Sequence, residues 1–299
     1  MTAASRHLLL FVFVCLTIVA TTTVDGHGPS GVTISWEPPQ PRGGDVVVMR
    51  VRGAPPGAVV EVLIDGHPLD VFPTRDGEAA MFGIDMDTRP GAHPWRVTVR
   101  GPGATTTEGR LHVIARVYSV QHLTVARGMV DLDPETERRA VDETERLRVV
   151  YRMASGERLW RGAFARPVPG EGPGTGFGAR RTINGQPRAP HSGIDFPAPV
   201  GAPVVATNRG RVALVAEFFF PGRLVILDHG LGLHTAYFHL DSIVVVEGQL
   251  VARGETLGTV GMTGRVTGPH LHFGAQIGTA RIDPMTLFGL AGGDESAAP

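Results

Sequence analysis

The chain has 299 residues, 42% of them hydrophobic, enough for about two domains with substantial cores and too apolar for a mainly disordered protein. A net charge of −1 gives no electrostatic case for binding nucleic acid. Every one of the 28 basic residues is arginine, which excludes a lysine nucleophile, and the 40 glycines and 24 prolines favour many short strands and turns.

Residues 1–26 have the pattern of an export signal: Arg6, an apolar run of thirteen residues from Leu8 to Ala20, then Thr21-Thr22-Thr23. Thirteen is short for a membrane span, which needs about 20 residues, and suits a signal core. Membrane attachment is expected only if this segment stays uncleaved. The one cysteine, Cys15, lies inside it, so the exported chain is expected to have neither a disulfide nor a thiol nucleophile. A metal would have to be held by nitrogen and oxygen.

Residues 27–115 read as a β-sandwich of immunoglobulin-like type, with strands near Val32–Trp36, Asp45–Val51, Ala58–Ile64, Trp95–Val99 and Gly109–Ile114. Asp65-Gly66 and Asp76-Gly77 supply turns. No catalytic role is expected here; targeting, spacing or occlusion is. His67, His93, His112 and His122 have no partnered spacing and read as structural.

Residues 116–165 form a connector containing a helix. Asp133 is the expected N-cap, Pro134 the first helical residue, and Ala140, Val141, Thr144, Leu147, Val150 and Tyr151 the apolar stripe, ending near Met153. Residues 166–290 are β-rich again, with a hairpin expected from Pro203 to Glu217 around Asn208-Arg209-Gly210, then strands at 223–228, 233–240, 250–260 and 271–277. Residues 291–299 read as a tail.

Six of the twelve histidines fall between residues 191 and 272. Gly268-Pro269 forbids a good helix before His270-Leu271-His272, so these two histidines sit on a strand, two apart and on one face. His191 and Asp195 are four apart, with Gly193 between them allowing close backbone approach. One carboxylate, His191 and one of His270 or His272 make an N₂O set, the three-ligand pattern of a catalytic zinc site with an open position.

His191-Ser192-Gly193-Ile194-Asp195, Tyr237-Phe238-His239 and Gly268-Pro269-His270-Leu271-His272 together resemble the three motifs of the M23 (LytM/lysostaphin-like) zinc metallopeptidases, over about residues 170–290. The resemblance implies one Zn²⁺ per chain on His191, Asp195 and His272, with His239 and His270 as the catalytic histidines, either being the general base. Arg180 either meets a substrate carboxylate or packs a loop. The implied activity is hydrolysis of bacterial peptidoglycan cross-links in the periplasm, at D-Ala–meso-diaminopimelate bonds or, as the lesser option, glycyl bonds. The alternative is a non-catalytic or latent LytM-type regulator of another wall hydrolase. Gly274 stands where many relatives have Glu, and His234 where an aromatic residue is common; both bear on groove shape. His229 reads as a turn residue and His234 as structural. Gly261, Gly264 and Gly268 read as turns, since no lysine and no following helix support a phosphate loop.

Overall fold

The structure, a computed structural model, describes residues 31–125, 127–153, 155–169 and 176–289. The expected signal (1–26) and tail (291–299) lie outside them. Eight strands come first: β1 (Thr33–Glu37), β2 (Val46–Arg52), β3 (Val59–Ile64), β4 (His67–Leu69), β5 (Val71–Thr74), β6 (Gly77–Gly83), β7 (Gly91–Arg100) and β8 (Thr105–Val113). They form two four-stranded antiparallel sheets, β1-β2-β6-β5 and β4-β3-β7-β8. Val47, Met49 and Val51 of β2 face Val62, Val97 and Leu111 in the sandwich core. Asp65-Gly66, both with positive φ, turn β3 into β4 as that dipeptide requires.

The other face of the first sheet is also buried. Val46, Ala79 and Met81 pack with Trp160, Phe164, Leu233, Ala275 and Ile282 of the C-terminal half. That double burial explains why β2 reads as a continuous Val-Val-Val-Met run instead of an alternation. It also explains why β6, Gly-Glu-Ala-Ala-Met-Phe-Gly, is poor in β-branched residues: its small Ala79 and Ala80 sit between two cores.

β9 (Val120–Leu123) leads to a 3₁₀ turn and then to α1 (Pro134–Arg152). Asp133 caps α1, its Oδ1 accepting from the Glu135 and Thr136 N–H groups at 2.9 and 3.0 Å. Val150, Leu147 and Tyr151 pack against Leu214, Leu224, Ile226 and Ala236, whereas Val141, expected on the stripe, is 62% exposed. It follows buried Ala140 by about 100° of helix rotation and so falls off the contact line.

The remaining strands are β10 (Arg180–Ile183), β11 (Gln186–Pro187), β12 (Gly193–Pro197), β13 (Pro203–Val205), β14 (Gly210–Phe218), β15 (Gly222–Gly230), β16 (Leu233–Ile243), β17 (Leu250–Val251), β18 (Thr256–Val260), β19 (His270–Ile277) and β20 (Ala280–Ile282), followed by the short α2 (Pro284–Gly289). The main sheet runs β12-β19-β16-β15-β14-β17, with β18 joined to β16 and β13, and β20 to β19. β9, β10 and β11 make a separate small sheet in which β9 and β10 are parallel. The expected hairpin from Pro203 to Glu217 does not form: β13 pairs with β18 and β14 with β15 and β17. Asn208 breaks the pair apart, its side chain bonding the backbone of Arg161 in both directions.

One face of the main sheet buries Val225, Leu227, Tyr237, Leu271 and Phe273. The opposite face lies under α1 at one end and carries the candidate site at the other.

Candidate metal centre

Register builds the site. β12 and β19 are antiparallel with Asp195 opposite His272, so the carboxylate and imidazole share a face. His191 lies just before β12 and its Nε2 comes within 2.8 Å of His272 Nδ1 and 3.0 Å of Asp195 Oδ1; His272 Nδ1 is also 3.0 Å from Asp195 Oδ1. Two nitrogens and one oxygen thus form a triangle with sides near 3 Å. Gly193 makes room for it: a Cβ there would stand 2.7 Å from His272 Nε2 and 2.5 Å from the Phe273 carbonyl oxygen. Gly176 does the same beside His191, where a Cβ would lie 2.7 Å from Nδ1, and its φ of +96° suits glycine alone.

Hydrogen bonds to carbonyls, which only accept, set the tautomers. His191 Nδ1 donates to Gly176 O at 3.0 Å, His239 Nδ1 to Thr263 O at 2.9 Å and His270 Nδ1 to Gly268 O at 2.8 Å. Each therefore carries a proton on Nδ1, so that in the neutral ring the lone pair lies on Nε2. His272 is fixed differently, stacked on Phe238 with ring centroids 5.2 Å apart.

His239 reaches the cluster through a break in strand geometry. β16 pairs with β19 as far as Phe238 and with β18 from Leu240 onward. At the changeover His239 has φ +64°, its N–H goes to the Pro221 carbonyl, and the pairing with β15 shifts register. Phe238 and His239, adjacent in sequence, consequently both reach the β19 histidines: the His239 ring lies 4.9 Å from His270 and 6.0 Å from His272. His234 is likewise on this face, opposite Gln276, so its odd spacing from His239 does not separate them as strict alternation would.

The electrostatics follow from burial. It pushes the Asp195 carboxyl up, but the His191 and His272 imidazoles beside it overcome this and hold it well below the usual carboxylate range. Burial lowers His272 to about 4, against the pull of Asp195. Burial, then repulsion from His272 and His270, lowers His239 to about 3. The last two imidazoles are therefore neutral at pH 7. Side-chain exposure rises from 2% at His191 to 19% at His270 and 30% at Asp195, so the cluster opens on the Asp195–His270 side.

The residues fit a divalent metal. Tetrahedral Zn²⁺ with bonds of ~2.0–2.1 Å spaces its ligand atoms by roughly 3.3 Å, slightly wider than the triangle here. With His191 Nδ1 committed to Gly176 O, Nε2 is the nitrogen left to bind it.

The other histidines among the described residues are accounted for. His229 is in β15, not a turn; buried, it bonds Arg209 O and Thr235 Oγ1 at 2.8 Å each, and burial lowers it to about 4. His67 and His112 lie on β4 and β8, His93 bonds Asp65, and His122 bonds Thr182. Arg180 is directed to Asp87, 2.6 Å away, and over the Tyr118 ring, outside the cluster. Its neighbour Arg181 faces the site, with Nη2 3.5 Å from Asp195 Oδ2. Alternation along β10 allows only one of the two to do so, and the sequence does not say which. A cleft of about 680 Å³ beside this small sheet, with His122, Thr182, Asn184 and Gln186 in its lining, includes none of the five cluster residues.

Comparison with known proteins gives the same direction. The model of peptidase family M23 matches residues 189–284. A crystal structure of a Pseudomonas aeruginosa protein described as a peptidase M23 is 31% identical, with a TM-score of 0.63, over 84% of this chain and 96% of that one. The chain belongs to peptidase family M23. Among curated relatives of this M23 protein, the Vibrio cholerae peptidoglycan DD-endopeptidase ShyB is 44% identical over 96 residues, 32% of this chain and 22% of the relative. ShyA of the same organism, also named a peptidoglycan DD-endopeptidase, is 46% identical over 85 residues, 28% of this chain and 20% of that protein. The chain thus spans about a fifth of the length of these two relatives.

Proposed function

We propose that this M23 protein is an exported, zinc-dependent endopeptidase that hydrolyses peptide cross-links of bacterial peptidoglycan in the periplasm, at D-Ala–meso-diaminopimelate bonds. The observation that carries the reading is the convergence of His191, Asp195 and His272 into one donor triangle, with His239 and His270 beside it and their Nδ1 atoms committed to carbonyls. The names of the Vibrio relatives supply the substrate class.

His191, Asp195 and His272 would hold the metal. Bound there, Zn²⁺ supplies a Lewis acid that acidifies a water and polarises an amide carbonyl. The chain's own residues do the rest. Asp195, ionised throughout the neutral range, gives the triangle its negative charge. His239 and His270, with Nδ1 committed to carbonyls, each offer Nε2 as a proton acceptor for the attacking water. Neither can donate to an oxyanion until it has taken a proton, so the first to be protonated becomes the donor to the leaving amine. The Thr263 and Gly268 carbonyls keep both rings in that orientation through the cycle.

The test is digestion of purified peptidoglycan by the zinc-loaded protein, with muropeptides identified by mass and His272→Ala as the blank. Loss of cross-linked dimers with the wild type alone is expected. Intact dimers from zinc-loaded protein would shift the assignment to a regulator of another hydrolase, a role for which five complete site residues serve no purpose.

A further inference from the structure

The left-handed residue His239 stands where the ladder between β15 and β16 is broken, and one side chain from the loop before β19 spans the break. Arg223 faces Leu240 in register and Val225 faces Tyr237, so Phe238 and His239 together oppose Leu224 alone. A bulge of this kind disrupts the ladder and re-aims a side chain. Thr263 bridges it: its hydroxyl accepts the Arg223 N–H at 2.9 Å and donates to the Leu240 carbonyl at 2.8 Å. A hydroxyl can take from one strand and give to the other in this way; a hydrocarbon of the same shape cannot.

The same residue holds the His239 ring. Thr263 O accepts from His239 Nδ1 at 2.9 Å, while the His239 N–H goes to the Pro221 carbonyl at 2.9 Å. Two glycines let the loop come this close to the β14–β15 turn. A Cβ at Gly222 would stand 2.5 Å from Thr263 O, and one at Gly264 would stand 2.5 Å from Phe220 O; their φ values are +64° and +76°. The Arg265 N–H adds a main-chain bond to Phe220 O at 2.9 Å. The Thr263 hydroxyl is thus the side-chain contribution to a closure that backbone otherwise makes. With that side chain fixed on the ladder and Gly264 in a left-handed turn, the carbonyl between them is held in one direction, towards Nδ1.

We infer that Thr263 is a positioning residue for His239, its hydroxyl holding its own carbonyl against the ring and so keeping the imidazole beside the donor triangle. This rests on the hydrolase reading above and deepens it. Thr263 moves no proton in the reaction. A ring released from its carbonyl is free to turn or to change tautomer, and either change takes the accepting nitrogen away from the attacking water.

The experiment sets Thr263→Val, which removes the O–H and keeps the shape, beside Thr263→Ser, which keeps the O–H, in the full chain loaded with zinc. Thr263→Val is expected to retain zinc and to lower kcat on cross-linked peptide dimers by about tenfold to a hundredfold with little change in KM, as a small displacement of a reacting group does. Thr263→Ser is expected to restore the rate. In a His239→Ala background, Thr263→Val is expected to change the rate by no more than about twofold, because a residue that acts through the imidazole then has nothing to act on. A second readout needs no turnover. In isotope-labelled protein the Nδ1–H of His239, assigned by its loss in His239→Ala, is expected to resist exchange in the wild type and Thr263→Ser and to exchange rapidly in Thr263→Val. Thr263→Ala, expected to behave as the valine variant does, takes its place if that variant does not fold. Unchanged kcat in Thr263→Val, an equal loss in both backgrounds, or a slowed variant whose Nδ1–H still resists exchange overturns the inference and leaves the hydrolase reading standing. Loss of zinc from Thr263→Val also overturns it, since the hydroxyl would then serve the metal ligands. Cleavage by no variant, the wild type included, overturns the hydrolase reading and this inference with it.

Discussion

His234 and His272 occupy the same face of the main sheet, on neighbouring strands β16 and β19, and each has an aspartate on the strand beside it. Their surroundings differ in two ways. His234 lies under α1, fully buried, with the Tyr151 ring edge-on at 5.7 Å. Its Asp228 already accepts from Ser155 N at 2.9 Å, Ser155 Oγ at 2.5 Å and Gly230 N at 2.7 Å, and stands 4.0 Å from His234 Nε2. Asp195, by contrast, meets two imidazoles at 3.0 Å and is 30% exposed at the end of the face that α1 does not cover. One carboxylate is spent on tying down the chain that leaves the helix. The other remains directed at nitrogens and open to a ligand. Residue type is common to both places; the cover and the carboxylate's other bonds decide which one can do chemistry.

The comparison breaks most sharply by deleting one histidine from each place. His272→Ala is expected to take bound zinc and dimer cleavage to background, because a two-ligand remnant does not make a closed triangle. His234→Ala is expected to keep zinc and cleavage while lowering unfolding free energy by about 2 kcal/mol, as loss of a buried side chain does. Metal stoichiometry beside denaturant unfolding separates them. Equal loss of zinc in both would mean that the two ends of the face are not independent. Within the open end, His239→Ala and His270→Ala are each expected to retain zinc and to slow turnover by roughly 10²–10⁴-fold, the usual worth of a positioned acid or base. Zinc loss from either would move that residue into the ligand set.

A smaller effect sharpens the buried side. His229 is held neutral by burial, with a pKa of about 4 against 6.5 when exposed; the Arg209 carbonyl and Asp228 pull it up and His234 pushes it down. Between those pH values the unfolded chain binds a proton that the folded chain refuses. The stability it contributes is complete above about pH 6.5 and is lost as pH falls towards 4. His229→Gln, able to bond the same carbonyl and hydroxyl without titrating, is expected to flatten that loss in unfolding measured at pH 7.5 and pH 5. An unchanged slope would assign the acid sensitivity to other groups.

Much of this contrast was legible in the sequence, and the rest was hidden for identifiable reasons. The H-x-H strand, the Gly193 that admits His272, and the Asp133-Pro134 helix start all depend on local rules, and the chain obeys them. Three features do not follow from local rules. His239 joins Phe238 in facing β19 only because the strand changes partners in a left-handed residue, which no period-two count anticipates. β6 escapes notice because alanines, not β-branched residues, fit between two packed cores. The hairpin expected around Asn208 has good turn chemistry, but long-range pairing of β13 with β18 outweighs it.

The Arg180-Arg181 pair shows the same limit at its smallest scale, and supplies the smallest expected effect. Two adjacent arginines on a short strand are indistinguishable by composition, yet parallel pairing with β9 puts Arg181 beside Gln121 and Asp195 and sends Arg180 the other way, to Asp87. The Arg180–Asp87 pair is 46% and 44% exposed, where solvent screening holds such bridges to about 0–1 kcal/mol. Asp87 also retains Arg281 at 2.8 Å when Arg180 is removed, so it is not stranded. Arg180→Ala is therefore expected to leave cleavage of cross-linked dimers unchanged and to shift stability by less than about 1 kcal/mol. A loss of cleavage would mean that Arg180 leaves Asp87 for the substrate, and that β10 can present either arginine to the site.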